Sequence, residues 1–533
     1  MGAPEKGESD SGPGAAGDRC SFAALAGWSP EPRTLSRRAF IGAGAGLAAG
    51  VLGPALSGRA LSKALAATPP GVAVDRSSEQ WEALQVLGRP ALRWPDSRPY
   101  PHLPIGTDTM PNIEHIVVLM MENHSYDNFF GMLGRGDGFT LGANGLPTAT
   151  NPYSDGRLQH AFRMPTTCQF DGQPSNEWKA SHLAYNNGAM DGFMTSPIDE
   201  YTTELVGPVT MGYWTGDDLP FTYSLASSFP LADRWFCSLL GQTDPNRRFL
   251  IAATSSGMTD DISFSLTPNP NEPLQDALLL TPANGTIFDR LSLAQLTWVD
   301  YQQNFPTGTT AADFPVDDVP MLLSKNNQSV TQFFSDCSKG LLPDFCIIEP
   351  NYGTQSQENP QNIVVGDAFI DEIVHAIGTG PDWRTTLLIL TYDEHGGYYD
   401  HVPPPVALAP DGIPPIVAPG ESAYDGFRRY GFRVPSMIVS PFAKQNYVSH
   451  QVFDHTSVLA LVERKWNLPA MTWRDANAND LTDLLDFSAL AAHQPTFPEL
   501  PPLAAAGNTA ARLACSATGP GHIPPAGSIS PAP

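Results

Sequence analysis

TYDEHGGYYDHVPPP, Thr391 to Pro405, is the stretch on which the reading of this chain turns. The apolar run before it, Leu387 to Leu390, reads as a buried strand. Asp393 and Glu394 fall where that strand gives way to a turn at Gly396 and Gly397. Two adjacent carboxylates, His395, Asp400 and His401 therefore crowd one loop. Such groups repel one another or resist burial unless something binds them, and a divalent cation is the simplest partner. A solvated acidic turn is the plainer alternative, and an isolated Asp-Glu pair would favour it. The neighbouring glycines, histidines and prolines weigh against it.

A second stretch upstream strengthens the cation reading. In IEHIVVLMMENHSYDNFFG, Ile113 to Gly131, residues Ile116 to Met121 read as a buried, parallel strand. Glu122 and Asn123 stand at its C-terminal end, the end at which open α/β sheets bind ligands. A carboxylate beside an amide oxygen suits a hard or borderline cation. Asn123 and Ser125 would equally serve a turn or helix cap.

Between these stretches lies GQTDPNRRFL, Gly241 to Leu250. Pro245 suits the first turn of a helix, with Thr243 or Asp244 at its cap. A hydroxyl there lies at the positive end of the helix dipole, where the same amides could hold a phosphate. From spacing alone, an ordinary N-cap is the simpler account. His182, ahead of NNGAMDGF (Asn186 to Phe193), is a lone histidine in a loop-rich region.

Further strand candidates are Leu296 to Val299, Asp344 to Ile348 and Pro435 to Val439. Ile363 to Ile377 reads as a helix, with Phe369, Ile370, Ile373 and Ile377 on one face. FDHTSVLALVERKW, Phe453 to Trp466, reads as an amphipathic helix opened by Asp454, with His455 in its first turn. This alternation predicts an α/β fold: a mainly parallel central sheet flanked by helices, with long loop insertions.

The chain has 533 residues, 41% of them hydrophobic, enough for a large core. With 30 basic against 55 acidic residues, the net charge of −25 argues against nucleic-acid binding and against adsorption to anionic membranes. A local metal can still outweigh that field for a phosphate substrate. Near the start, TLSRRAFIGAGAGLAAGVLG (Thr34 to Gly53) sets Arg37-Arg38 before a weakly apolar run rich in small residues. It resembles a twin-arginine export signal, with a small-x-small cleavage site at Ala64-Leu65-Ala66. The expectation is a secreted or cell-envelope protein that meets the twin-arginine export machinery and keeps no permanent membrane span when mature. Six cysteines are present, and Cys337 and Cys346 lie close enough in sequence to form a short disulfide loop.

MENHSYDNFFG, GQTDPNRRF, TYDEHGGYYDHVPPP and DHTSVLALVE, in this order, resemble the bacterial phosphoesterase family of phosphocholine-type phospholipases C and related acid phosphatases. The resemblance spans about Ile113 to Pro469 and implies an alkaline-phosphatase-like fold. It implies Glu122, Asn123, Asp393 and Glu394 as ligands of one divalent cation, with Ca, Zn, Mg and Mn all open. It further implies Thr243 as nucleophile, His182 in phosphate binding or proton transfer, and His401 and His455 in motif positions at the site. The implied substrate is a phospholipid or a small phosphoester. Phospholipase C activity, broad acid phosphatase activity and a binding protein without turnover are the three readings, and a threonine nucleophile leans to the first. In SQENPQN, Ser356 to Asn362, Asn359 stands where the family usually has the histidine of Asp-His-Pro. The larger phospholipases of the group carry further C-terminal β-type domains, for which this chain ends early. The expected organisation is a signal region at 1–67, a lead-in at 68–110, a catalytic domain at 111–497 and a Pro/Ala-rich disordered tail at 498–533.

Overall fold

The computed structural model describes residues 71–169, 174–196, 207–262, 280–304, 314 and 325–507. The expected export signal, the expected cleavage site and the last residues of the expected tail lie outside them.

Eight strands form the central sheet: β1 (His115–Met121), β2 (Leu231–Ala232), β3 (Trp298–Gln302), β4 (Asn327–Ser329), β5 (Phe345–Glu349), β6 (Thr386–Tyr392), β7 (Met437–Val439) and β8 (Val448–Ser449). Their order across the sheet is β8-β2-β7-β6-β1-β5-β3-β4. The run from β6 to β4 is parallel throughout, and β7 is antiparallel to both its neighbours. Every residue of β5 and β6 is buried, as is all of β1 after His115. That is why these strands read as continuous aliphatic runs: helices and loops cover both faces. β2 has no counterpart among the expected strands, because two residues carry no periodic signal.

The helices include α1 (Glu79–Val86), α2 (Trp178–Tyr185), α3 (Pro220–Ser228), α4 (Thr243–Ala252), α5 (Ile363–Thr379) and α6 (Thr456–Trp466). α5 is the crossover between β5 and β6. Asn362 caps it by accepting from the Val364 amide, and Phe369, Ile370, Ile373 and Ile377 are buried as their spacing predicts.

The lead-in is anchored rather than loose. Ala83 and Leu84 of α1 pack with Leu408, and the Asn467 amide donates to the carbonyls of Tyr100, Leu103 and Pro104. The packed body also runs past the boundary expected at 497. Leu500 and Leu503 lie against the core, and the Ala504 amide donates to Ser224 Oγ. The Cys337–Cys346 disulfide does not form, since both residues are free, buried thiols. Both belong to the apolar core cluster, and burial pushes the Cys337 thiol up to about 12. Cys168 is disulfide-bonded.

Candidate active site

β1 and β6 are in parallel register, with Met121 opposite Tyr392. The next residues, Glu122-Asn123 and Asp393-Glu394, therefore leave the sheet side by side at its C-terminal edge. The crossing is pinned by backbone: the Asp393 amide donates to the Met121 carbonyl at 3.0 Å, and the Asn123 amide donates to Asp393 Oδ1 at 3.0 Å. Asn123 has φ +66° and Gly396 φ +63°. A Cβ on Gly396 would overlap the Asn123 carbonyl, so the glycine turn after the carboxylate pair lets the two loops approach.

All four predicted ligand residues are buried, Glu122 at 4% exposure and Asp393 and Glu394 at 0%. Glu394 accepts from Asn176 Nδ2 at 2.6 Å and from the Gly396 amide at 2.7 Å. Burial pushes the Asp393 carboxyl up to about 6 and that of Glu394 up to about 8. Burial, then the charge of Glu358, raises Glu122 well above its ordinary range. Glu122 Oε2 and Asp393 Oδ2 are buried with no hydrogen-bond partner. Oxygen atoms left in that condition, among carboxylates that resist ionising, fit a bound cation.

Thr243 is the first residue of α4, and its Oγ1 donates to Asn123 Oδ1 at 3.5 Å. The cap is Gln242, not Thr243 or Asp244 as the spacing suggested. The anion-binding reading of this helix end also changes, because the Asp244 amide already donates to Asp261 Oδ1 at 2.7 Å. The Thr243 hydroxyl is thus directed at the strand-end group rather than spent on its own helix.

Three side chains join this site that sequence reasoning did not single out as site residues. One turn after Thr243, Arg247 reaches beneath the carboxylates. Its guanidinium lies 3.3 Å from Glu122 Oε1, 3.1 Å from Glu349 Oε2 and 3.6 Å from Asp393 Oδ2. Glu349 ends β5 as Glu122 follows β1, a fully buried carboxylate after an apolar run. That signal was available in the sequence. Glu358 feels the charges of Asp393 and Glu394; burial first, then those charges, push it up to about 7.

The histidines separate. His455 caps α6 and is fully buried, with Nε2 2.6 Å from the Asp393 carbonyl and Nδ1 accepting from Trp235 Nε1. Burial lowers its pKa to about 4, so it is neutral and donates from Nε2 to the loop that carries Asp393. His182 lies on α2, the helix that begins beside Asn176. It bonds the Trp178 carbonyl through Nδ1 at 2.7 Å and stacks on Tyr424 at 4.0 Å. Its Nε2 lies 3.8 Å from Asp425 Oδ1. His395 is buried, with neither ring nitrogen hydrogen-bonded.

The single crowded loop expected from the sequence divides in two. Asp400 and His401 turn away from Asp393-Glu394 and join Asp127, with ligand atoms within 4.8 Å of one another. His401 Nδ1 lies 2.7 Å from Asp127 Oδ2, and the buried Arg433 pairs with Asp127 at 3.2 Å and Asp400 at 3.0 Å. Arg433 supplies one positive charge against these two carboxylates, and His401 bonds one of them, so the cluster finds its partners within the protein. Burial works against a cationic His401, but the bond to Asp127 and the charges of Asp127 and Asp400 outweigh it and raise its pKa. Asn359 accepts from the Tyr398 hydroxyl at 3.0 Å, a contact that requires no titrating group.

Comparison with known proteins adds to this geometry. The model of the Phosphoesterase family matches residues 113–469. Phospholipase C A of Mycobacterium tuberculosis is 32% identical over 419 residues, covering 71% of this chain and 78% of that protein. Non-specific phospholipase C3 of Arabidopsis thaliana is 30% identical over 426 residues, covering 74% and 78%. Among solved structures, a protein in the alkaline phosphatase superfamily from Vibrio parahaemolyticus aligns over 80% of this chain and 79% of that one, with a TM-score of 0.34 and 11% identity.

Proposed function

The chain belongs to the Phosphoesterase family and is a hydrolase of phosphoric esters, and from that premise we propose an exported phospholipase C that uses Thr243 as nucleophile. The reading is that a phospholipid is cleaved to diacylglycerol and a phosphorylated head group. Relatives at about this level of identity are named phospholipase C in both a bacterium and a plant. The observation that carries the mechanism is the meeting of Thr243 Oγ1 with Asn123 Oδ1, together with the buried Glu122 Oε2 and Asp393 Oδ2, which accept no hydrogen bond.

Glu122, Asn123, Asp393 and Glu394 would hold a divalent cation there. Bound in that place, it would supply charge that favours the Thr243 alkoxide and the anionic phosphoryl oxygens. Thr243 Oγ attacks phosphorus, the bond to the glycerol oxygen breaks, and the head-group phosphate is carried on Thr243 until water displaces it. The start of α4 places the threonine at the positive end of a helix. Asn176 and the Gly396 amide fix Glu394, and His455 fixes the Asp393 backbone, so both histidine and amide act as positioning groups. Of the three proposed histidines, His401 has the most exposed ring, at 29%, and a carboxylate that favours its protonated form. On the family resemblance we assign His401 protonation of the leaving oxygen and His182 the head-group phosphate; in the structure His401 bonds Asp127, and His182 Nε2 lies 3.8 Å from Asp425 Oδ1. Export through the twin-arginine route follows from Arg37-Arg38 and the run after them.

Purified protein assayed on phosphatidylcholine and on p-nitrophenyl phosphate, with and without chelator, tests the proposal. The expected result is diacylglycerol and phosphocholine from the lipid, lost on chelation. Hydrolysis of the monoester alone would replace this reading with an acid phosphatase. Full lipid turnover in metal-free protein would remove the cation from it.

A further inference from the structure

Three neighbouring parallel strands, β5, β1 and β6, each deliver a carboxylate at the same edge: Glu349, Glu122 and Asp393. Arg247 lies across that row, 3% exposed, with each of its ion pairs between 3.1 and 3.6 Å. Tyr352 closes it in. The tyrosine ring lies 5.1 Å from the guanidinium carbon, and its hydroxyl donates to Glu349 Oε2. Glu122 is shared: Oε1 faces Arg247, while Oε2 has no hydrogen-bond partner.

We infer that Arg247 is a built-in counter-cation whose guanidinium takes the place of a second metal ion, so that this site binds one divalent cation and admits a second only when the guanidinium is removed. The inference rests on the single-cation reading above and goes beyond it in naming the residue that holds the count at one. Three oxygen donors from separate strands, converging on one buried positive group, are what a hard cation would require. A carboxylate with one oxygen on each side is the usual bridge in two-metal sites, whose ions stand about 3.5–4 Å apart. Arginine suits the permanent role because it stays protonated even when buried and its planar fork reaches several carboxylates at once. Glu358 and Glu394 belong to the same buried acidic cluster, and Asp244 also feels the charge of Arg247. Removing it leaves the cluster either to protonate or to recruit another cation. The placement is efficient in chain terms, since Thr243 and Arg247 are one helical turn apart and a single helix brings nucleophile and counter-charge to the same row.

The test is stoichiometry. Full-length wild type, Arg247→Met and Arg247→Lys are saturated with Mn2+, freed of excess ion, and read by elemental analysis and electron paramagnetic resonance. Wild type and Arg247→Lys are expected to hold one ion per chain with the spectrum of an isolated ion. Arg247→Met is expected to hold two, with a spin-coupled spectrum. Two ions or a coupled spectrum in wild type overturns the inference, and so does a folded Arg247→Met that still holds one. If Arg247→Met does not fold, Arg247→Gln, which keeps hydrogen bonds but no charge, carries the same expectation and the same refutation. Wild type that retains neither Mn2+, Ca2+ nor Zn2+ overturns the metal-assisted reading itself, a different result from two ions.

Discussion

The Asn123 amide donates to Asp393 Oδ1 at 3.0 Å, across a gap of 270 residues in sequence. The bond exists because β1 and β6 are adjacent and in register, so the residues after them emerge together. It ties the two halves of the proposed cation site to each other before any ion binds.

Asp393→Asn should weaken cation binding and lower turnover by orders of magnitude. The asparagine can keep one acceptor for the Asn123 and Glu394 amides, which both bond Oδ1, but it loses the charge on Oδ2 beside Arg247. Titration with metal followed by calorimetry, together with kcat at saturating metal, reads both effects. Wild-type affinity in this variant would remove Asp393 from the ligand set.

Thr243→Ala should abolish turnover while costing less than the roughly 1 kcal/mol expected for loss of a helix cap. The cap is Gln242, and the only hydrogen bond the Thr243 side chain makes among the described residues is to Asn123. Thr243→Ser should keep substantial activity, and rapid acid quench should trap phosphate on residue 243. Retention of more than about a tenth of wild-type turnover in Thr243→Ala, a barrier change under about 1.4 kcal/mol, would refute the nucleophile assignment.

Stability should fall as pH rises above neutrality by an amount that depends on His401. Its folded pKa is raised, so the stabilisation it shares with Asp127 is complete below the unfolded value of about 6.5 and is lost as pH passes through the higher folded value. Thermal unfolding of wild type and His401→Gln from pH 5 to 9 should converge towards the alkaline end. A difference that grows with pH would mean the histidine is held neutral.

Replacing Arg37 and Arg38 together by lysine should leave the protein inside the cell. The motivation is the arginine pair before a run too rich in glycine and alanine to anchor firmly. Fractionation with an antibody against the chain decides it, and normal export of the double variant would refute the route.

What the sequence determined by itself is the set of strand ends. Ile116 to Met121 and Leu387 to Leu390 are too uniformly aliphatic to face water, which makes them buried parallel strands and puts Glu122-Asn123 and Asp393-Glu394 at ligand-bearing ends. Arg247 was within reach of the same reasoning, since four residues after Thr243 is the same face of a helix. What only the tertiary structure decided is which charges answer one another. Asp400 and His401 stand within eight residues of Asp393 in sequence, yet they turn to Asp127 and Arg433, while Arg247, itself paired with Glu349, comes to Asp393 from another element. Spacing along a chain fixes the face of a strand or helix to which a side chain belongs. Pairing of buried charges depends on which elements lie next to one another in the sheet, and that order, β6-β1-β5, joins segments from three distant parts of the chain.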